Sequence, residues 1–313
     1  MQNRRSPYMK VRIVVGLALV VGYCIASPSR GTQNVLPSLG AVPSTESSIS
    51  RFADIKIQRS RGARPTRLVL SDYLPPVGNQ KSQGSCVGWS TAYYAYTFAV
   101  AKQLGIRIDK LQTPEWQFSY RYIWNQGNGG NNQGMSISKA MEILRDQGCC
   151  TLKEMPVDYS DTSERPSQVA VGRAKKYVAQ SIGSLISRQR TSDVESLKIY
   201  LSDMKSPIVA GIPIYWQEFP KAGVTPDYVY RRGSQERPDG YHAVTIIGYD
   251  DDKRAFRIIN SWGDAWGDNG QLWVDESFVV NQCTEAWGFV AGGPKTRSVL
   301  PPTVKFVSRS NKS

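Results

Sequence analysis

One run of residues constrains this chain more than any other: Cys86-Val87-Gly88-Trp89-Ser90-Thr91-Ala92-Tyr93-Tyr94-Ala95-Tyr96. It is apolar or small at most positions, with no Pro and no Gly after Gly88. Such a run reads as a buried helix that starts at Cys86 and continues to about Lys102. Gly84 and Ser85 supply the turn and an N-cap. A thiol at a helix N-terminus feels the positive end of the macrodipole, which favours thiolate over thiol. A free thiol titrates near ~8.5, so the dipole alone does not suffice. A nucleophilic cysteine also needs a base, usually an imidazole. The chain holds one histidine, His242. If Cys86 is a nucleophile, no other histidine can serve it.

Two further blocks stand downstream. Tyr241-His242-Ala243-Val244 leads into Ile246-Ile247-Gly248-Tyr249-Asp250. Then comes Asn260-Ser261-Trp262-Gly263-Asp264-Ala265-Trp266-Gly267-Asp268-Asn269-Gly270. His-Ala-Val, Gly-Tyr and Asn-Ser-Trp-Gly-x-x-Trp-Gly-x-Asn-Gly, in that order, resemble the His and Asn blocks of the papain-like cysteine peptidases. Around Cys86 the resemblance is looser. Gln80 stands six residues before it, as in the family, but Trp89 is displaced from its usual place directly after the Cys. The His and Asn blocks also lie further from Cys86 than the roughly 130–150 residues usual there, which implies insertions.

The resemblance implies an α+β fold of two lobes. A helical lobe would carry the Cys helix, an antiparallel sheet or barrel would form the second lobe, and the cleft would lie between. It also implies roles. Cys86 would be the nucleophile, and His242 its ion-pair partner and the proton donor to the leaving amine. Asn260 would orient the imidazole, and Trp262 would shield that hydrogen bond from water and line the cleft. Gln80 would donate its amide to the oxyanion beside the Cys86 backbone N–H; Gln83 is the competing register. A glycine loop before a helix would line the substrate cleft, with Gly134 the match and Gly129–Gly130 the alternative. Tyr241 would narrow the leaving-group side. A lone buried thiol is more often plain packing, and a lone His on an apolar strand is more often structural. The company that Cys86 and His242 keep argues against both bland readings.

Length and charge set the remaining bounds. With 313 residues and 40% hydrophobic content the chain can build one large domain or two lobes. Arg4, Arg5, Lys10 and Arg12 precede an apolar run from Val14 to Val21 and small residues near Ala26. That is the pattern of a secretory signal peptide over residues 1–27, so the protein is expected to be secreted or periplasmic. A lipid-modified Cys24 or an uncleaved membrane anchor are the minor alternatives; the run is short for a span, so no stable membrane insertion is expected after signal removal. Net charge is +13. Much of it sits in two flanks, Arg51 to Arg67 and Lys295 to Lys312, which read as solvated tails or as patches for anionic surfaces. No nucleic-acid motif accompanies them, and no metal or organic cofactor is implied. In an oxidising compartment a disulfide from Cys149 or Cys150 to Cys283 is compatible with the count; the alternative is buried thiols.

Taken in order, residues 28–66 read as a disordered leader, too short and too polar for the family's full inhibitory propeptide. Residues 67–294 read as the peptidase domain and 295–313 as a loose basic tail. Within the domain, helices are expected over 113–124, 136–147, 167–187 and 193–203. Strands are expected over 208–215, 242–249, 254–262, 272–274 and 287–292. The function implied is hydrolysis of peptide bonds in a peptide or protein substrate. Two alternatives share the site: a catalytically weak or silent protein that binds peptide in the cleft, and a transferase working through the same thioester.

Overall fold

The Cys86 run lies at the centre of the fold because nearly all of its side chains are buried. The computed structural model describes residues 36–58, 63–106, 109–187, 193–293 and 300–309. The signal-peptide expectation and the Cys24 alternative fall on residues 1–35, outside the described residues. In chain order the described elements begin with α1 (Glu46–Ile49), β1 (Ala53–Ile57) and β2 (Arg67–Val69). A continuous helical run follows: α2 (Cys86–Gly88), a π-helical stretch Trp89–Tyr96, and α3 (Thr97–Leu104). Then come α4 (Tyr120–Gly127), α5 (Ile137–Asp146), α6 (Gln168–Ala174), β3 (Ser181–Ile186) and α7 (Val194–Ile199). The chain ends with β4 (Ile208–Ile214), β5 (Val229–Tyr230), β6 (Gly240–Asp250), β7 (Ala255–Ile259), β8 (Gln271–Asp275), α8 (Glu276–Gln282), β9 (Glu285–Val290) and β10 (Val304–Val307).

The strands form one sheet in the order β10-β1-β3-β9-β4-β6-β7-β8-β5, with β2 also on β6. Most pairings are antiparallel; β1 with β3 and β5 with β8 are parallel. This is the expected α+β papain-like fold, with the strands concentrated in the second half of the chain. β6 is central and buried along nearly its whole length, as its apolar pattern requires. Helix starts follow local chemistry. Ser119, Ser136, Ser167 and Asp193 each accept a backbone N–H at the first turn of α4, α5, α6 and α7. Ser85 is the exception: it stands at the N-cap of α2, but its hydroxyl makes no cap bond and is buried without a partner.

Three expectations are corrected. Residues 167–187 are not one helix: the helix ends by Tyr177 and β3 follows. Five of the six β3 residues are buried and it pairs with β9, so pairing overrides local helix propensity. The leader is not disordered over residues 36–58. Thr45 caps α1, and β1 lies between β3 and β10, with Ile49, Phe52 and Ile55 buried. The tail is not loose over residues 300–309, where β10 pairs with β1 in register from Asp54–Val307 to Ile57–Val304. Both segments are short, and their partners lie too far away in sequence for any local pattern to reveal them. The four described cysteines are all free thiols, Cys86, Cys149 and Cys150 buried, so the compatible disulfide is not formed.

The central helix is pinned to the sheet by polar bonds. Thr245 on β6 donates to the Ser90 carbonyl at 3.0 Å. The Tyr94 hydroxyl accepts the Gly78 N–H at 2.8 Å and donates to the Asn260 carbonyl at 2.8 Å. Tyr94→Phe strands both groups in a buried setting. It should cost about 2–6 kcal/mol in urea unfolding, from one to three for each orphaned group. Tyr93→Phe, which loses one partly buried bond to the Pro76 carbonyl, should cost about 1 kcal/mol or less. Equal costs would contradict the bridging role of Tyr94.

Candidate active site

The Asn block is built from the chain that approaches Cys86. Gln80 N–H donates to the Ser261 carbonyl at 2.8 Å and Gly263 N–H to the Gly78 carbonyl at 3.0 Å. The Ser261 hydroxyl donates to Gln80 Oε1 at 2.6 Å. These bonds fix residues 78–80 against residues 261–263, so Gln80 and the Asn260 block are set by one small polar lattice. Ser261 was not anticipated; its only sequence signal was its place between Asn260 and Trp262.

His242 lies on β6 and Asn260 just beyond β7. His242 Nε2 is 2.7 Å from Asn260 Oδ1. Ser261 N–H donates to that same Oδ1 at 2.7 Å. An oxygen that accepts there must accept from the ring too, so the hydrogen is on Nε2 in the neutral imidazole. Nδ1 then carries the lone pair; it is buried and has no hydrogen-bond partner. Trp262 covers the pair, its ring centroid 4.5 Å from that of His242. Trp216 stacks on Trp262 at 5.5 Å. Trp266 and Phe219 complete an apolar wall.

Cys86 heads α2 and is completely buried. Backbone N–H groups of Ala243 (the residue after His242), of Gly40 in the leader, of Val87 and of Cys86 itself favour its thiolate. Burial pushes the thiol up to about 12 despite those N–H groups. Burial pulls the His242 imidazole down to about 4, against the raising effect of its bond to Asn260. Both shifts favour the neutral forms of the two groups.

The leader adds to that burial at Cys86. Residues 38–44 run through the cleft. Gln80 Nε2 donates to the Ser38 carbonyl at 3.0 Å and to the Gln83 carbonyl at 2.8 Å, so the amide expected at the oxyanion already holds a carbonyl. Gln83 faces elsewhere, toward the Asp158 carbonyl and the Tyr120 hydroxyl. Ala41 N–H donates to the Tyr241 carbonyl at 3.3 Å. Met135 N–H donates to the Gly40 carbonyl and Val42 N–H to the Met135 carbonyl, each at 3.0 Å. This is a parallel bridge. Gly134 lies beside it: a Cβ there would come within 2.2 Å of the Gly40 oxygen. Gly134 is thus the close-approach glycine of the cleft, and its neighbour Met135, missed in the sequence, supplies the backbone bonds. The competing pair, Gly129 and Gly130, has no atom within 4 Å of its Cβ positions. A Cβ on Gly40 would fall 2.1 Å from the Gly84 oxygen, so the leader fits only as bare backbone at that point. Ser44 closes the far end, its N–H on Glu285 Oε1 at 2.9 Å and its hydroxyl accepting Ser138 N–H at 3.0 Å.

The described residues contain no group of side chains suited to a metal ion, and no helix among them is long and apolar enough to cross a membrane.

Comparison with known proteins agrees with this geometry. The model of the papain family cysteine proteases matches residues 67–290. Human cathepsin L2 is 26% identical over 212 residues, covering 64% of this chain and 57% of that protein. An uncharacterised peptidase C1-like protein of Acanthamoeba polyphaga mimivirus is 24% identical over 214 residues, 65% of each. The chain thus spans somewhat under two thirds of the length of these relatives. In structure it is similar to xylellain, a cysteine protease from Xylella fastidiosa, with TM-score 0.66 and 24% identity over 81% of this chain and 96% of that one. It is also similar to a digestive procathepsin L 3 of Tenebrio molitor larval midgut, with TM-score 0.59 and 18% identity, covering 78% of this chain and 77% of that one. With a matched region that takes in the Cys, His and Asn blocks and a fold to go with it, the chain belongs to the papain family of cysteine proteases.

Proposed function

We propose that this protein is an exported cysteine peptidase that hydrolyses peptide bonds and is held latent by its own leader. The observation that carries the reading is the placement of His242: Nε2 tied to Asn260 under Trp262, Nδ1 unbonded, and the next residue's N–H on the Cys86 sulfur. Export rests on the basic and apolar start of the sequence alone; N-terminal sequencing of protein from the native host should find it beginning near Ser27 or Pro28.

In the working cycle, Cys86 passes its proton to His242 Nδ1. The thiolate attacks the substrate carbonyl carbon, and the C=O electrons move onto oxygen. Gln80 Nε2–H holds that oxyanion, in the place now taken by the Ser38 carbonyl. The imidazolium gives its proton to the leaving amine, and the acyl group stays on sulfur. Water then attacks the thioester, with His242 taking its proton and returning it to the departing thiolate. Asn260 keeps the ring in the tautomer this requires.

Latency gives a direct test. Gly40→Val cannot be accommodated against Gly84, so the leader must lift. Alkylation of Cys86 by iodoacetamide should accelerate by on the order of tenfold or more, since each 1.4 kcal/mol of lost closure is a factor of ten in open population. An unchanged rate would contradict occupancy of the cleft.

In that open variant, Cys86→Ala and His242→Ala should abolish peptide hydrolysis. Asn260→Ala should leave measurable turnover, because the imidazole remains but is poorly held. Gln80→Ala should cost roughly 10²–10³ in kcat with alkylation of Cys86 largely intact. A silent Gln80→Ala would remove Gln80 from the oxyanion site.

The imidazole adds a pH dependence. Its value in the closed state is about 4, below the ordinary 6.5. In Cys86→Ser, where no thiolate forms to offset the imidazole's proton, opening restores water and raises that value, so the open state binds more protons between those values and acid favours opening. Protection of the Ala41 and Val42 amides in hydrogen exchange of that variant should fall by roughly fortyfold from pH 6.5 to 4.5, somewhat under one proton per opening over two units. Protection that is flat with pH would contradict the coupling.

A further inference from the structure

The leader does not end where it leaves the cleft. After Ser44 it forms α1 and then β1, and the bonds that hold β1 come mostly from the far end of the chain. With β3 it shares a register of two pairs, Ala53–Gly183 and Asp54–Ser184. With β10 it shares four, from Asp54–Val307 to Ile57–Val304. Gln58 N–H extends that side by donating to the Thr303 carbonyl at 2.8 Å.

Arg309, two residues past β10, closes the arrangement. Its Nη1 is 2.8 Å from Glu46 Oε1, in the first turn of α1. Its Nη2 is 2.8 Å and its Nε 2.9 Å from Asp54 Oδ1, on β1. Nη2 also reaches the Ser184 hydroxyl on β3 at 3.3 Å. The guanidinium and both carboxylates are about one-fifth exposed, so the contact is screened less than a surface pair. β10 is anchored independently of the leader, since Thr303 Oγ1 donates to Asp203 Oδ2 at 2.6 Å. From the clasp the contacts continue to the cleft. Phe52, just before β1, packs edge-on against Trp287 at 5.1 Å. Trp287 Nε1 donates to Glu285 Oε2 at 2.7 Å, and Glu285 Oε1 holds the Ser44 N–H.

We propose that the C-terminal strand is the catch of the latent state: β10 and Arg309, gripping Glu46 and Asp54, retain the leader in the cleft and set how readily the active site opens. This rests on the latent-peptidase reading above and deepens it, by placing control of the site at the opposite end of the chain. Whatever releases the C-terminal segment, a cut behind it or a partner that takes its strand edge, would then unmask Cys86.

The test is the rate of Cys86 alkylation by iodoacetamide in the full chain at neutral pH, with the adduct located by mass spectrometry. It is run on wild type, Arg309→Ala, Glu46→Gln, Gly40→Val, and Gly40→Val combined with Arg309→Ala. Arg309→Ala and Glu46→Gln should each speed labelling by on the order of tenfold, the scale of a partly buried ion pair after allowance for its exposure. Gly40→Val should label fast, and adding Arg309→Ala to it should change nothing, because the leader is already out. If Gly40→Val labels fast while Arg309→Ala and Glu46→Gln label as wild type, the catch is overturned and the latent peptidase stands. If Arg309→Ala speeds labelling equally in both backgrounds, its effect is general loosening and the catch is overturned. If Gly40→Val also labels as wild type, the latent reading and the catch fall together.

Discussion

Gly40 lies in the cleft with no room for a side chain between the Gly84 and Gly134 backbones, and most of what distinguishes this state depends on that fit. The backbone passage brings a carbonyl to Gln80 and an N–H to the Cys86 sulfur. It also keeps water from Cys86 and His242, which favours the neutral thiol and the neutral imidazole. The machinery is assembled but uncharged: the Asn260 bond, the Trp262 cover and the Nε2–H tautomer are in place, and the missing ingredient is solvent to stabilise the ion pair. On the function proposed above, latency is an electrostatic condition as well as a steric one.

The site was legible in the sequence where residues are close together and chemically distinctive. Cys86 at the head of an apolar run, the lone His242 and the Asn260-Ser261-Trp262 block could each be read directly. Gln80 was placed by its spacing to Cys86, and the structure puts its amide on a carbonyl in the cleft. Gly134 was read as a cleft glycine, but the backbone that bonds there belongs to Met135, a residue type that carries no such signal. The leader was read as disordered because its anchors are invisible locally. Ser44 meets Glu285 and Asp54 meets Arg309 across most of the chain length. A residue pattern of period 2 or 3.6 cannot report a strand of four or five residues whose partner is 250 positions away.

Charge offers the same lesson. The basic flanks read as solvated tails, yet in the folded chain several of those cations are structural. Arg51 meets Glu142, Arg64 bridges Glu195 and Asp251 while lying over the Tyr249 ring, Arg67 meets Asp250, and Arg309 binds the leader. Arg64, only 16% exposed, fixes the chain just before β2. The excess positive charge thus sits partly in contacts that tie the two ends of the chain to the domain between them.

The most direct measurement of the central claim is the protonation state of the one histidine. Because His242 is unique in the chain, ¹⁵N labelling of histidine gives a single pair of ring resonances. With the leader in place, the account predicts a neutral ring, with the hydrogen on Nε2 and a bare Nδ1, down to about pH 4. It predicts an imidazolium near neutral pH once Gly40→Val has lifted the leader and Cys86 can ionise. An imidazolium at pH 7 in the wild-type chain would contradict the account, because the pair would then be charged beneath the leader.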